Sequence, residues 1–199
     1  MGWLETPGEI LDPTTTRDGH EVTGGDYATE ASACAAFDAL AECDGWFRVH
    51  REVSGEYLYR RPAAGQSQPR IDRILVPTAK ALELGWSLGF VGIEIKKSGV
   101  KLGPVVAQCM DYANACWRMT NGCRYMTEWV FIFPAASPRG SLASLMAQLR
   151  IGAAGTRPLY PRHLGDSLLL QGGSCNVLSK DSLGYSFKSP VCGNRVGSR

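Results

Sequence analysis

The strongest constraint on the fold is a set of short apolar segments with strand character, each bounded by turn residues. Residues 70–76 and 128–133 are rich in β-branched and aromatic side chains, and they end at Pro77 and Pro134. Proline ends a strand because it has no N–H to donate to a neighbouring strand. Residues 88–97 form a further segment of this kind. Three core strands are therefore predicted from these segments.

Helical signals separate these strands. Thr29 is a suitable N-cap for an alanine-rich and leucine-rich run over 30–43. Gly103-Pro104 begins a second helix, predicted to reach about residue 119, because proline suits the first helical turn and apolar residues recur at helical spacing. Residues 141–151 predict a third, short amphipathic helix. Residues 46–53 and 56–61 predict two further strands paired as a hairpin across Ser54-Gly55.

The order of these elements predicts an α/β fold with a mixed central sheet flanked by helices. Residues 29–152 form the expected core. Residues 1–28 lack a clear period and predict an irregular N-terminal arm. Residues 153–199 alternate short apolar runs with glycines, which predicts a C-terminal extension of β-hairpins or extended chain packed on or near the core.

Composition narrows the class of protein. The chain has 199 residues, of which 44% are hydrophobic and 20% are charged, as in ordinary globular domains. The formal net charge of +2 excludes a highly basic polymer binder, but it leaves room for a local nucleic-acid patch. Seven cysteines without a C-x-x-C pair favour reduced thiols. With no long apolar run and no signal-like start, we expect a cytoplasmic protein without a membrane partner.

The chemistry-bearing residues lie on two of the predicted strands. Side chains alternate along a strand, so Glu94 and Lys96 share one face while Ile93 and Ile95 point to the other. Asp72 can lie beside Glu94 if the two strands are neighbours. Two close carboxylates repel each other, and a divalent cation relieves that repulsion. Oxygen ligands favour Mg²⁺, with Mn²⁺ as a substitute, and such an ion activates water for phosphodiester hydrolysis.

Two helical features add to this pattern. Gln108 and Tyr112 are four residues apart on the second predicted helix, so they project from the same face and can contact a phosphate or a base. Glu30 begins the first helix, where it can approach the metal from another side. It is equally suited to the ordinary role of an acidic residue in the first helical turn.

These residues resemble the PD-(D/E)XK nuclease superfamily, whose αβββαβ core is that of restriction endonucleases. In that family, an acidic residue lies on the first helix, Asp on the second strand and Glu-x-Lys on the third, the order of Glu30, Asp72 and Glu94-Ile95-Lys96 here. Gln108 and Tyr112 resemble the Gln-x-x-x-Tyr motif of its RecB-type, lambda-exonuclease-like branch. The resemblance implies metal ligation by Asp72, Glu94 and the Ile95 carbonyl, catalysis by Lys96, an auxiliary role for Glu30, and substrate contacts from Gln108 and Tyr112.

Other positions stay open at this level. Ile71 stands where the family name has proline, as many members tolerate. Glu52 is an alternative to Glu30 as the auxiliary acidic residue. Lys97 and Arg73 are candidate phosphate-binding residues beside the site. Only Cys175 and Cys192 follow the core helices, which speaks against the iron–sulfur cluster of some relatives.

The resulting expectation is a divalent-metal-dependent nuclease acting on DNA rather than RNA, in a phage or mobile-element setting. One alternative is a non-catalytic nucleic-acid-binding or assembly module that retains the nuclease fold. Another is a dimeric restriction-type or junction-resolving endonuclease. The sequence leaves open whether cutting starts at ends or internally, as exonuclease or endonuclease, and it leaves the oligomeric state open.

Overall fold

The computed structural model describes residues 26–43, 45–59, 67–83, 85–134, 140–158, 166–172, 175–181 and 184–187. The elements in chain order are α1 (Glu30–Glu42), β1 (Phe47–Tyr57), β2 (Arg70–Pro77), α2 (Ala79–Glu83), β3 (Val91–Ile95), α3 (Leu102–Ala113), β4 (Ala115–Arg118), β5 (Arg124–Tyr125), β6 (Trp129–Phe133), α4 (Gly140–Gln148), β7 (Ile151–Pro158), β8 (Asp166–Gly172), β9 (Cys175–Asp181) and β10 (Gly184–Phe187).

The strands form a mixed sheet in the order β10-β9-β8-β7-β6-β3-β2-β1-β4-β5. Strands β1, β2 and β3 are antiparallel neighbours, whereas β6 is parallel to β3 and β7 is parallel to β6. Strands β4 and β5 are attached through the last residues of β1. A parallel pair needs a long crossover connection, and the chain between β3 and β6 contains α3. The predicted α/β fold with a mixed sheet flanked by helices is confirmed.

Helices cover both faces of the central strands. On one face, α1 packs through Phe37, whose ring centre lies 5.2 Å from that of Phe133. On the other face, Val105 and Cys109 of α3 join the apolar cluster that contains Ile132. Every residue of β3 and β6 is consequently buried, as expected for strands covered on two sides. No helix among the described residues is long and apolar enough to span a bilayer.

Helix α1 begins where the sequence predicts. Thr29 is extended, and its hydroxyl accepts a hydrogen bond from the Ser32 N–H, while the Ser32 hydroxyl lies 3.3 Å from the Thr29 N–H. This capping box satisfies donors that the first helical turn otherwise leaves unpaired. The helix ends at Glu42, one residue before the predicted end.

The predicted hairpin across Ser54-Gly55 is wrong, because both residues lie inside the continuous strand β1. Ser54 still pairs with β2, and from Gly55 onward the strand pairs with β4 instead. A Cβ at Gly55 would lie 2.7 Å from the Trp117 ring and 2.9 Å from the Cys116 carbonyl oxygen. The glycine therefore permits close approach of β4 rather than a turn.

Two predicted helix ends and one boundary also need correction. Helix α3 ends at Ala113 rather than near residue 119, because the chain turns at Asn114 and continues as β4. Helix α4 covers Gly140–Gln148, and Ile151 already belongs to β7. The boundary drawn after residue 152 falls inside β7.

The described strands that follow this boundary belong to the same sheet and the same core. Ala154, Leu168 and Leu170 are buried in the cluster that contains Phe37. Strands β7 and β8, β8 and β9, and β9 and β10 pair antiparallel, in keeping with the β-hairpins predicted for this part. The predicted N-terminal arm lies almost wholly outside the described residues.

Candidate active site

Asp72 and Glu94 meet where β2 and β3 stop pairing through their backbones. The ladder between the two strands runs from Leu75 opposite Val91 to Arg73 opposite Ile93. One residue further, the side chain of Asp72 replaces the backbone as partner, and its Oδ2 accepts a hydrogen bond of 2.7 Å from the Ile95 N–H. This substitution of a carboxylate for a backbone carbonyl fixes Asp72 beside the end of β3.

Glu94 is the most deeply buried charged group at this site. Its side chain is 1% exposed, and the Lys96 ammonium forms an ion pair with its Oε1. Neither oxygen of Glu94 receives a hydrogen bond of regular geometry from the described residues. Burial raises the pKa of Glu94 to about 8, with a further contribution from the neighbouring Asp72 carboxyl, and Lys96 only partly opposes the increase. The site therefore holds a carboxylate whose negative charge is under-compensated.

The neighbouring groups respond to the same environment. Burial raises the pKa of Asp72, although the Ile95 N–H and the charge of Lys96 oppose that rise. Burial acts to lower the pKa of Lys96, but the contact with Glu94 and the charge of Asp72 outweigh it, so that pKa is raised. The backbone of Lys96 is held independently, because its N–H donates to the Phe133 carbonyl oxygen over 2.7 Å. Lys96 thus has a fixed backbone, and its ammonium group lies beside the buried Glu94 carboxyl and the half-buried Asp72 carboxyl.

The donor atoms suit a hard divalent cation. Asp72 and Glu94 offer carboxylate oxygens. The Ile95 carbonyl faces the gap toward β2, because the N–H and C=O of one strand residue point to the same side. Mg²⁺ and Mn²⁺ prefer such oxygen ligands, and a cation would balance the charge that burial disfavours at Glu94. Within the described residues, no group of three or more His, Cys, Asp or Glu side chains converges on one point. The carboxylate ligands available here are therefore two, and water would complete the shell of a bound ion.

Both candidates for an auxiliary acidic residue lie near Asp72, but in different surroundings. The charges of Glu30 and Glu52 each act to raise the pKa of Asp72. Glu52 forms ion pairs with Arg70, at 3.1 Å, and with Arg73, at 3.7 Å. Glu30 is exposed at the start of α1 and forms no ion pair with a described residue. Its charge also acts to raise the pKa of Lys96. Glu30 is therefore the more available of the two.

Gln108 and Tyr112 are brought together on α3 as their spacing predicts. The Gln108 amide donates to the Tyr112 hydroxyl, which in turn donates to the Arg70 carbonyl oxygen over 2.7 Å. The Tyr112 ring is buried and lies edge-on to Trp117. Burial raises the pKa of the Tyr112 phenol well above its ordinary range, so the hydroxyl keeps its proton. These contacts tie α3 to the first residue of β2, two positions before Asp72.

Arg73 is located differently from the sequence expectation. Its side chain is buried and turned toward α1, where it forms an ion pair with Asp38. It is engaged by the protein itself and is not available as a phosphate-binding group. Lys97 is exposed in the loop after β3, where it remains accessible. Asp38 was missed from the sequence, although its four-residue spacing from Glu30 through Cys34 places these three residues on one face of α1.

Cys109, Cys116 and Cys123 recur every seven residues in the sequence, but they do not lie on a shared helix. Cys109 is buried on α3, Cys116 lies on β4 and Cys123 lies in the loop before β5. All three are free thiols, and burial raises the pKa of the Cys109 thiol, which makes it a poor nucleophile.

Comparison with known proteins gives no relative on which to base a family assignment. No family model matches the chain, and neither a curated protein nor a solved structure matches it. The case for a function therefore depends on the geometry described above.

Proposed function

We propose that this protein is a divalent-metal-dependent nuclease that hydrolyses phosphodiester bonds, with DNA as its substrate. The observation that carries the proposal is the burial of Glu94 beside Asp72 and Lys96, with the pKa of Glu94 raised to about 8. Strongly perturbed carboxyl groups with specific charge partners are concentrated at functional sites. A protein that needed Glu94 only for packing would be better served by an apolar residue there.

The surrounding architecture supports the same proposal. When the short helix α2 and the added strands β4 and β5 are set aside, the chain has a helix, three antiparallel strands, a helix and a strand parallel to β3, in the αβββαβ order of the PD-(D/E)XK core. Asp72 lies on the second strand and Glu94 on the third, and Lys96 directly follows the third. Gln108 and Tyr112 lie on the next long helix. Fold order and site residues thus agree with each other, although each alone is a weak indication.

In the proposed mechanism, the chain's own residues bind the metal, stabilise developing charge, orient water and contact the substrate. Asp72, Glu94 and the Ile95 carbonyl would hold Mg²⁺ or Mn²⁺, which lowers the pKa of a bound water and offsets charge on the phosphoryl oxygens. Lys96 donates hydrogen bonds to the attacking water or to the phosphate oxygens on which negative charge develops. Glu30 orients water from the α1 side. Gln108 forms a hydrogen bond with the substrate, and Tyr112 keeps Gln108 aligned.

The test is cleavage of end-labelled linear DNA and closed circular DNA, each single-stranded and double-stranded. The wild-type protein is assayed with Mg²⁺, Mn²⁺ or EDTA beside Lys96→Ala, with Lys97→Ala as the matched control for a neighbouring lysine. We expect metal-dependent cutting that Lys96→Ala reduces at least 100-fold and Lys97→Ala reduces less than tenfold.

The circular substrates separate internal cutting from cutting at ends. Cleavage that is equal in wild type and Lys96→Ala would contradict the proposal. Absence of cutting on every substrate, with DNA still retained in a shift assay, would favour the non-catalytic binding module.

A further inference from the structure

The Arg73 guanidinium contacts both helix α1 and the backbone of its own strand, β2. Its Nε and Nη2 donate to Oδ1 and Oδ2 of Asp38, over 2.7 and 3.2 Å, and its side chain is only 6% exposed. Its remaining nitrogen, Nη1, donates to the backbone carbonyl oxygen of Asp72 over 2.7 Å. The Arg73 guanidinium therefore joins helix α1 to the backbone of Asp72.

Asp38 offsets the repulsion between Arg73 and a second arginine, Arg51. Arg51 and Arg73 are directly opposite each other on β1 and β2, a pairing of like charges that is unfavourable by itself. Asp38 lies over the pair and accepts hydrogen bonds from both residues, that from Arg51 Nε over 2.8 Å. The two arginines differ in burial, because the Arg51 side chain is 48% exposed. Only Arg73 reaches the backbone of Asp72.

We propose that Asp38 and Arg73 are positioning residues, which hold Asp72 in register for the site on the opposite face of the sheet. This inference rests on the proposed function. Asp72 is fixed at two of its own groups, its carbonyl by Arg73 and its Oδ2 by the Ile95 N–H. At this point β2 and β3 have stopped pairing through their backbones, so the bond from the Ile95 N–H to Asp72 replaces the ladder between these strands. Arg73 ties the Asp72 backbone to Asp38 on α1. Small displacements of a catalytic carboxylate have large effects on rate.

Two kinds of variant separate positioning from simple stabilisation of the fold. Arg73→Lys keeps the charge, but one ammonium cannot span both Asp38 and the Asp72 carbonyl as the planar guanidinium does. Asp38→Asn keeps the shape of the acceptor and removes its charge. Arg51→Gln is the matched control, because it removes the other arginine that contacts Asp38 without touching Asp72.

The first measurement is hydrogen exchange of the Ile95 amide, followed by NMR, with the Lys96 amide as an internal reference. The Ile95 N–H bonds to Asp72, whereas the Lys96 N–H bonds to Phe133 on β6. We expect Arg73→Lys and Asp38→Asn to accelerate exchange at Ile95 at least tenfold relative to Lys96, and Arg51→Gln to leave this ratio unchanged. Equal acceleration of both amides, or none, would overturn the inference. So would failure of both variants to fold, because the pair would then serve the fold alone.

The second measurement is steady-state DNA cleavage by the same proteins. We expect kcat to fall about 10- to 100-fold in Arg73→Lys and Asp38→Asn, the usual range for residues that support a metal site, with KM changed less than threefold. A wild-type protein that cuts no substrate contradicts the proposed function, and the exchange ratio still decides the positioning of Asp72. A wild-type kcat in both variants contradicts the positioning role alone.

Discussion

Two groups of charged side chains lie on opposite faces of the central strands, and their charges are balanced in opposite ways. On the α1 face, burial acts to raise the pKa of Asp38, but hydrogen bonds from Arg73 and Arg51 outweigh it and lower that pKa. On the α3 face, burial of Glu94 outweighs its contact with Lys96, and the pKa rises to about 8. Asp38 is half-buried and Glu94 is buried, and each has a basic partner, yet of these two carboxyls only Asp38 accepts hydrogen bonds at both oxygens.

This difference is the reason that we assign Asp38 to stabilisation of the fold and Glu94 to the proposed chemistry. Asp38 accepts hydrogen bonds at both oxygens, so its ionised form is the stable one. Glu94 lies beside a second carboxyl and lacks regular hydrogen bonds from the described residues. Unsatisfied buried polar groups are uncommon in native proteins, and they occur preferentially at sites where a ligand completes them. We therefore expect loss of the partner of Asp38 and loss of the Glu94 charge to have opposite effects on stability.

The largest expected effect on stability is at Arg73. Arg73→Ala leaves the Asp38 carboxylate without its buried partner, and we expect the free energy of unfolding at pH 7 to fall by about 3 kcal/mol. Arg51→Ala removes a half-exposed, solvent-screened partner of the same carboxylate and should cost less than about 1 kcal/mol. Urea denaturation measures both. Equal losses would remove the distinction between the buried and exposed arginines.

A gain of stability is expected at Glu94. Its pKa in the folded protein lies above that of an exposed glutamate, so the folded state binds the proton more tightly than the unfolded chain. The contribution of Glu94 to the free energy of unfolding therefore falls as the pH rises from about 5 to 9. Glu94→Gln removes this dependence, and at pH 9 we expect it to be more stable than wild type by about 2 kcal/mol.

Urea denaturation between pH 5 and pH 9 tests this difference. Glu83→Gln, which changes an exposed glutamate on α2, is the control and should follow the wild-type curve. Parallel curves for wild type and Glu94→Gln would show that burial of Glu94 carries no penalty. The α3 face would then resemble the α1 face, and the comparison would fail.

The smallest effect is expected at Tyr112. Tyr112→Phe removes the hydroxyl that joins Gln108 to the Arg70 carbonyl, and we expect a loss of about 1 kcal/mol in the free energy of unfolding. The KM for DNA should rise more than the affinity for Mn²⁺ falls, because Tyr112 is not among the oxygen ligands. Tyr125→Phe is the control and should change stability by less than about 0.5 kcal/mol. An equal loss of metal affinity would place α3 closer to the ligands than the structure has it.

Local signals in the sequence predicted the elements that carry the site. The Thr29 cap and the apolar segment that ends at Pro77 predicted α1 and β2 at nearly their observed positions. The alternation around Ile93–Ile95 predicted β3, which covers Val91–Ile95 rather than the whole of 88–97. The hairpin at Gly55 and the length of α3 were wrong because both depend on one distant contact. Trp117 packs against Gly55. Cys116 continued the apolar helical spacing of Val105, Cys109 and Tyr112, but residues 115–118 form β4, in which Ala115 and Trp117 are buried.

The same contrast between local signals and distant contacts applies to the candidate site. Asp72 and Glu94 were predicted to meet, because a carboxylate on each of two neighbouring strands needs only the strand order. The location of Arg73 was not predictable, since its partner Asp38 is 35 residues earlier in the chain. Alternation along β2 does separate Asp72 from Arg73 by face. This alternation does not show which face of the sheet is covered by a helix that carries an acidic residue.

The most direct test of the account is Mn²⁺ binding, measured by electron paramagnetic resonance at pH 8 without DNA. We predict saturable binding at the site that Asp72 and Glu94 form, weakened at least tenfold in Asp72→Asn and in Glu94→Gln. Glu52→Gln, which changes an acidic residue already paired with arginines, should change the affinity less than threefold. Equal Mn²⁺ affinity in wild type, Asp72→Asn and Glu94→Gln, or no saturable binding by the wild type, would contradict the central claim that the under-compensated carboxyls form a metal site.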